Sequence, residues 1–272
     1  MTRTRRIVLH PGFHRTGCRS VQSFFATNRD VLAPNTHCLF VADLRPILRL
    51  MRGDGAVSPS SLKRAMGILF PDPASDQRDI LISSEALSGP PPGRADTIDY
   101  NAAAAQVGMI GAALLDHFAG SELTVALTVR QAEDWLFAAY QSQLLHSRIR
   151  LSRAAFAGAH RRATDFERLG TETAAALQGY PDRARVLLLP IEDTKSHALG
   201  PGGALVDLLQ PDPALRSRLR PVAHVDHSLP PPYWLTFLEL NRSRRPDDEV
   251  RTAKDALLTH YRHSLSNAPP TD

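Results

Sequence analysis

Short apolar runs alternate with longer segments of helical periodicity along most of this chain. Runs rich in Ile, Leu and Val occupy residues 6–10, 79–83, 123–129 and 185–190. They are continuously apolar rather than alternating, which is typical of strands buried on both faces of a parallel sheet. We therefore expect a central, mostly parallel sheet that contains these four strands.

Helical patterns separate the apolar runs. They cover residues 18–29, 101–118, 131–147 and 164–178, and two further helices are expected within 230–265. The alternation predicts a three-layer α/β fold of the P-loop-like kind, with helices flanking the sheet and a helical C-terminal part. We expect a single domain over residues 1–265 and a flexible tail over residues 266–272.

Two segments, 43–78 and 86–100, are rich in Pro, Gly, Ser and Asp. This composition predicts long loops with short helices. Long loops in a compact domain often cover a substrate.

The composition is that of a soluble globular protein. The 272 residues are 43% apolar and 22% charged, and no run of 18 apolar residues occurs, so we expect no membrane span. The basic N-terminus precedes an apolar stretch that is too short for a signal peptide. Cys18 and Cys38 lack the spacing of disulfide or metal-binding cysteines, so a cytoplasmic location is expected.

The net charge of +4 raises the question of a nucleic-acid ligand. Basic residues are spread along the chain and acidic residues interleave with them, and only three of the 32 basic residues are lysine. A GC-rich coding sequence explains this arginine bias, so we expect no nucleic-acid partner. The modest positive field favours an anionic small ligand.

The first apolar run leads into a loop bounded by glycines. Residues 12–17, Gly-Phe-His-Arg-Thr-Gly, have the G-x-x-x-x-G spacing of a phosphate-binding loop and lie between a predicted strand and a predicted helix. Glycine allows close backbone approach, and the amides at a helix start attract an anion. A plain strand-to-helix turn that uses glycine for its backbone freedom has the same outline.

The loop lacks the residues that a nucleoside triphosphatase needs. A Walker loop continues with Lys and then Ser or Thr, which contact the terminal phosphates and Mg²⁺. Cys18 and Arg19 occupy those positions, and Ser20 follows one residue late. A metal-dependent kinase or ATPase is therefore disfavoured, and a kinase with an unusual loop stays an alternative.

The stretch HPGFHRTGCRSVQ, residues 10–22, resembles the 5′-phosphosulfate loop of the sulfotransferase family in its bacterial form. The resemblance implies transfer of a sulfuryl group from 3′-phosphoadenosine 5′-phosphosulfate (PAPS) to a hydroxyl or amine, without a metal. Arg15 stands where the family usually has Lys, and Cys18 with Arg19 replaces two threonines. The residues that the resemblance implies for binding the cofactor are Arg15, Thr16, Gly17, Cys18, Arg19 and Ser20. Arg15 would also stabilise charge on the leaving phosphate.

A second stretch, residues 123–143, agrees with this resemblance. The predicted strand leads into Arg130, where the family carries an arginine that binds the 3′-phosphate. The family's serine eight residues later is Ala138 here, and Ser142 lies one helical turn further along the same face. The resemblance implies Arg130 as a cofactor ligand, together with Ser142 if the helix is shifted. A strand-end arginine paired with a surface carboxylate is the alternative.

A third stretch, residues 78–89, places Glu85 just after a predicted strand. Ligands in open α/β sheets bind outside the carboxyl ends of the strands. Because some family members carry a glutamate here that removes the acceptor's proton, we prefer Glu85 as the general base, with His14 as the competing candidate. A glutamate that only interacts with free amides at a helix start is the alternative.

The remaining histidines do not suggest a metal site. His260 and His263 have helical ligand spacing, but no third ligand completes the site, and we expect these and His10, His14, His224 and His227 to be surface residues. The acceptor is expected to be a small molecule or a carbohydrate, with a lipid or a peptide as open alternatives, and the oligomeric state is left open. A catalytically silent relative that binds the nucleotide, or a protein partner, is the second alternative.

Overall fold

A five-stranded, all-parallel sheet forms the centre of the fold in the part of the chain that the computed structural model describes, residues 3–52, 57–94, 97–224 and 231–266. The strands are β1 (Arg6–His10), β2 (Thr36–Phe40), β3 (Asp79–Ser83), β4 (Glu122–Val129) and β5 (Ala184–Pro190). Their order is β2-β3-β1-β4-β5. The predicted α/β class with a parallel sheet is confirmed, and β2 is an addition to the four predicted strands.

Helices connect the strands and flank the sheet. They are α1 (Cys18–Thr27), α2 (Arg29–Leu32), α3 (Arg45–Met51), α4 (Pro59–Leu69), α5 (Ala103–His117), α6 (Ala132–His146), α7 (Arg153–His160), α8 (Phe166–Ala176), α9 (Ile191–Lys195), α10 (Gly203–Leu209), α11 (Pro213–Arg216), α12 (Pro231–Arg242) and α13 (Asp247–Ser266). No helix in the described ranges is long and apolar enough to cross a membrane.

The sheet separates two apolar cores because successive side chains of a strand point to opposite faces. In β1, Ile7 and Leu9 join the core that contains α5, whereas Val8 joins the core that contains α1 and α10. In β3, Leu81 likewise joins the second core, whereas Ile80 and Ile82 join the first. Burial on both faces explains why these strands read as continuous apolar runs.

The C-terminal helices fix the end of α6. The Lys254 ammonium donates to the carbonyls of Leu144 and Ser147, both at 2.7 Å, and therefore caps the last turn of α6. Burial lowers the pKa of Lys254 to about 8. The two helices predicted within 230–265 are confirmed as α12 and α13, whereas the predicted tail beyond Ser266 lies outside the described residues. The domain boundary stays a prediction.

Candidate functional site

A cavity of about 490 Å³ lies at the carboxyl ends of the central strands. Its walls include His14, Glu85, Arg130 and Ile191, each of which follows a different strand. This is the edge of an open α/β sheet at which ligands bind. The cavity is therefore the candidate functional site.

Most of the predicted site residues contribute to the wall of this cavity. They are His14, Arg15, Gly17, Cys18, Arg19, Ser20, Glu85, Arg130 and Ser142. Thr16 is the exception, since it is buried beneath the loop. Which ligand each of these residues binds stays a prediction.

The loop between β1 and α1 (residues 11–17) has an unusual backbone. Gly12, Arg15 and Gly17 have φ angles of 59°, 69° and 93°, in the left-handed region. A Cβ at Gly12 would also lie 2.3 Å from the Cys18 sulfur, so only glycine fits there. Arg15 is the notable case, because a left-handed conformation is uncommon for a residue with a side chain and clusters at functional sites.

Side chains from three other segments hold this loop from outside. The Ser88 hydroxyl donates to the Gly12 carbonyl at 2.6 Å, and the Trp135 indole donates to the His14 carbonyl at 2.8 Å. The His14 amide donates to the Tyr100 hydroxyl at 3.1 Å. The loop is thus ordered by the protein itself before any ligand binds, which lowers the entropic cost of binding.

A buried polar network holds the loop from beneath. Thr16 donates to the Phe13 carbonyl at 2.6 Å, so its hydroxyl must accept the 2.8 Å bond from Thr128. Thr128 then has no proton left and accepts from His10 Nε2 at 3.1 Å, which leaves His10 Nδ1 to accept from Ser83 at 2.8 Å. Burial lowers the pKa of His10 to about 4, which agrees with this neutral tautomer.

The structure corrects the prediction that the histidines lie on the surface. His10 is completely buried (0% exposed), because α/β packing covers the end of β1 on both faces. His224 is half-buried and lies in the cavity wall, with Nδ1 at 3.3 Å from the Ser20 hydroxyl. His14 is also half-buried, whereas His260 is exposed as predicted. His227 and the side chain of His263 lie outside what the structure describes.

The side chains of Thr16 and Cys18 support the loop. Thr16 faces the buried network, and the Cys18 thiol donates to the Phe13 carbonyl at 3.4 Å. Burial raises the pKa of Cys18 to about 12, so the thiol stays protonated and unreactive at neutral pH. Both side chains therefore form hydrogen bonds within the loop or to the network beneath it, and their roles in binding a cofactor stay predictions.

The start of α1 offers backbone amide donors that could bind an anion. Gly17 provides no side-chain cap, and the first turn contains no acidic residue. The first amides of a helix have no intrahelical partner and lie at the positive end of its dipole. These amides, next to the exposed Arg19, are suited to an anion.

The cavity wall carries a surplus of positive charge. It contains Arg15, Arg19, Arg94 and Arg130 against one carboxylate, that of Glu85. Among the described residues, Arg19, Arg94 and Arg130 form no ion pair. Four unit charges of one sign in a concave, partly desolvated site favour a polyanionic ligand.

Glu85 and His14 differ in whether they can accept or donate a proton or hydrogen bond in the cavity. Glu85 begins a 3-10 turn (Glu85–Ser88) and accepts a bond of 3.1 Å from the Gln22 amide. The buried Tyr100 hydroxyl needs an acceptor, and His14 Nδ1 lies 3.3 Å away. His14 Nε2 then carries the proton, and burial lowers the pKa of His14 to about 4. His14 is therefore a neutral donor, and Glu85 is left as the acceptor.

Helix α6 contributes a second wall. Ala138 is buried and Ser142 is half-buried, and both lie in the cavity wall. Ser142 is about 6 Å further along the helix axis than Ala138, because each residue adds 1.5 Å.

The cavity also contains residues that the sequence did not predict. Arg94, His146 and His224 line it, and nothing in their local sequence pattern marks them as site residues.

Within the residues that the structure describes, no group of three or more His, Cys, Asp or Glu side chains has the arrangement of a metal site.

Comparisons with known proteins give little further information. No protein-family model and no curated protein matches the sequence. Among solved structures, the chain is similar to a sulfotransferase from Alicyclobacillus acidocaldarius, with 12% sequence identity and a TM-score of 0.45. The match covers 89% of this chain and 93% of that chain. An identity and a TM-score this low establish neither a family nor a function.

Proposed function

We propose that this protein is a sulfotransferase that moves a sulfuryl group from PAPS to a hydroxyl or amine of an acceptor, without a metal. One observation carries the proposal: the loop after β1, Glu85 and Arg130 line a single cavity with a surplus of positive charge. These are the three stretches whose sequences resemble sulfotransferase motifs. They are far apart in the chain, and the fold brings them together.

The donor set of the cavity fits a nucleotide with phosphate groups at both ends. The amides at the start of α1, Arg15 and Arg19 would hold the 5′-phosphosulfate. Arg130, at the end of the neighbouring strand β4, would hold the 3′-phosphate. Arg15, Arg19 and Arg130 supply three positive charges, and the amides at the start of α1 add partial positive charge, which suits the several negative charges of such a nucleotide.

Different residues of the chain would then have different roles in the reaction. Bound PAPS would supply the sulfuryl group and a phosphate leaving group. Glu85 would take the proton from the acceptor hydroxyl or amine, since its carboxylate is the acceptor in the cavity. His14 Nε2–H would donate a hydrogen bond to an oxygen near the reacting centre. Arg15 would stabilise charge on the leaving phosphate but, as a permanently charged group, would donate no proton.

A second candidate is a relative that binds the nucleotide but is catalytically silent. The observation in its favour is that Cys18 bonds to the loop carbonyl of Phe13 and that Ala138 offers no hydroxyl to the cavity. On the strength of the resemblance we also propose a small molecule or carbohydrate as acceptor and a bacterial protein, and from the spacing of Cys18 and Cys38 a cytoplasmic location.

Calorimetric titration tests the proposal directly. The purified protein is titrated with adenosine 3′,5′-bisphosphate in the presence of EDTA, and separately with ATP and Mg²⁺. We expect one metal-independent site for the bisphosphate and weaker binding of ATP. Transfer from radiolabelled PAPS to a panel of acceptors then separates an enzyme from a silent relative. Absence of bisphosphate binding would overturn the proposal, and a preference for ATP with Mg²⁺ would favour a kinase.

A further inference from the structure

A turn of residues 91–94, which follows β3, places Arg94 in the cavity wall. The Arg94 amide donates to the Pro91 carbonyl at 3.1 Å, and the Arg94 carbonyl accepts from Thr97 at 3.0 Å. The Gly93 amide donates to the Thr97 carbonyl at 2.8 Å. The backbone of Arg94 is therefore fixed on both sides.

The same turn is attached to helices α6 and α7. Gln143 donates from its side-chain amide to the Pro92 carbonyl at 3.1 Å. Gly93 has a φ of 87°, and a Cβ there would lie 2.8 Å from the Phe156 ring, so the turn packs closely against α7. The Arg94 side chain is nevertheless exposed and forms no ion pair within the described ranges. This turn thus presents to the cavity a cation that has no counter-charge among the described residues.

Sheet order puts Glu85, directly after β3, on the opposite side of the loop from Arg130. Strand β1 lies between β3 and β4, so residues that follow β3 and β4 reach the cavity from opposite sides. Arg130 follows β4, whereas Glu85 and Arg94 follow β3. If the nucleotide extends toward Arg130, the acceptor lies on the side of Glu85, because a general base must contact the nucleophile.

Ser142 and Arg94 both lie in the wall of the cavity. Helix α6 begins just after Arg130, and near its end Gln143 contacts the turn that carries Arg94. Ser142 precedes Gln143 and is about 15 Å along the helix axis from the first residue of α6. That distance is long for Ser142 and Arg130 to share one phosphate.

We propose that Arg94 and Ser142 form a binding site for an oxyanion group on the acceptor, such as a carboxylate, sulfate or phosphate. The acceptor is then an alcohol, phenol or amine that already carries a negative charge. This inference rests on the proposed function, because Glu85 defines the acceptor side only if it is the base. Arginine suits the role, since its planar group binds an oxyanion through two parallel hydrogen bonds.

The charge of Arg94 acts close to the candidate chemistry. Burial is the main cause of the lowered pKa of His14; Glu85 opposes this shift, and the charge of Arg94 adds to it. An acceptor that is anchored on Arg94 would therefore place its nucleophile among the groups that we assign to proton transfer. Without a bound anion, this positive charge next to the reacting centre has no partner in the described part of the chain.

The test uses inorganic sulfate as probe, with the protein saturated by adenosine 3′,5′-bisphosphate. Calorimetry is performed on the wild type, on Arg94→Gln and on Arg64→Gln, an exposed arginine of α4 outside the cavity. We expect the nucleotide-bound wild type to bind sulfate and Arg94→Gln to weaken that binding at least five-fold. The Arg64→Gln control and the bisphosphate Kd of Arg94→Gln should be unchanged.

Paired acceptors give the second measurement. N-acetyltyrosine is compared with its amide, and glucuronic acid with glucose, so that each pair differs in a carboxylate. We expect a higher kcat/KM for the charged member, and loss of that preference in Arg94→Gln.

Two outcomes would overturn the inference. One is sulfate binding by Arg94→Gln that equals that of the wild type, and the other is a preference for the charged acceptor that survives the substitution. A lower bisphosphate affinity in Arg94→Gln would instead assign Arg94 to the nucleotide, and failure of the wild type to bind bisphosphate would mean that the proposed function itself is wrong.

Discussion

His10 Nε2 and Thr128 Oγ1 are joined by a hydrogen bond of 3.1 Å that connects the carboxyl ends of two neighbouring strands. Thr128 also bonds to Thr16, within the loop that forms one wall of the cavity. Neither His10 nor Thr128 lies in the wall of that cavity. The shape of the loop therefore depends on buried polar groups that hold it from the sheet side.

Substitution of Thr128 by valine should disrupt this support without changing the size of the side chain. His10 Nε2–H would lose its acceptor and Thr16 its donor, and each buried unsatisfied group costs about 1–3 kcal/mol. We expect a loss of about 2 kcal/mol in the free energy of unfolding, measured by urea denaturation, and weaker binding of adenosine 3′,5′-bisphosphate.

Thr128→Ser is the matched control, because serine keeps the hydroxyl and removes only a methyl group. It should retain most of the stability and the affinity. If Thr128→Val bound the bisphosphate as tightly as the wild type, the network would be a feature of stability alone.

Acid should destabilise the protein through its buried histidines. Burial lowers the pKa of His10 and of His14 to about 4 in the folded state, against about 6.5 in the unfolded chain. Between these values the unfolded chain binds more protons, so stability falls as the pH falls from about 6.5 to about 4. His10 alone should contribute a loss of about 3 kcal/mol across this window.

Urea unfolding at several pH values between 7 and 4 measures this effect. His10→Asn should be less stable than the wild type at pH 7 but should lose less stability on acidification. The exposed His260 provides the control, since His260→Gln should follow the wild-type curve. A wild-type curve that is flat across this window would contradict the assignment of His10 as neutral.

Periodicity predicted the sheet because most strands are apolar on both faces. Strand β2, with the sequence Thr-His-Cys-Leu-Phe, lies at the sheet edge and was not predicted, because its first two residues are polar and interrupt the apolar run. An edge strand has a neighbour on one side only, and its pattern need not be continuously apolar.

The candidate site was predictable where its residues directly follow strands. Glu85 and Arg130 could be selected because parallel strands bring their carboxyl ends to one edge. His10 could not be selected, because its burial depends on packing across the sheet. Arg94 could not be selected, because its position in the cavity wall depends on a turn that α6 holds. The only sequence signal for His10 is a single polar residue at the end of an apolar run.

Arg130→Ala tests the assignment of the strand-end arginine. Removal of a charge-assisted contact to a phosphate costs about 1.5–3 kcal/mol, so the Kd for adenosine 3′,5′-bisphosphate should rise about 10- to 100-fold. Adenosine 5′-monophosphate lacks the 3′-phosphate, and its Kd should change little. Arg64→Ala controls for the loss of one positive charge. An unchanged bisphosphate Kd would remove Arg130 from the site.

Glu85→Gln separates the two candidate bases. The substitution keeps the shape of the side chain and an oxygen that can accept the bond from Gln22, but it removes proton-accepting ability. We expect kcat for transfer from PAPS to fall about 10²- to 10⁴-fold, as is typical when a general base is lost, with an unchanged Kd for the bisphosphate. His14→Asn, in comparison, should cost less, because the bond from Tyr100 to Nδ1 leaves the imidazole a donor. If His14→Asn abolished turnover while Glu85→Gln left it intact, the base would be His14, and Tyr100 would have to direct its proton elsewhere.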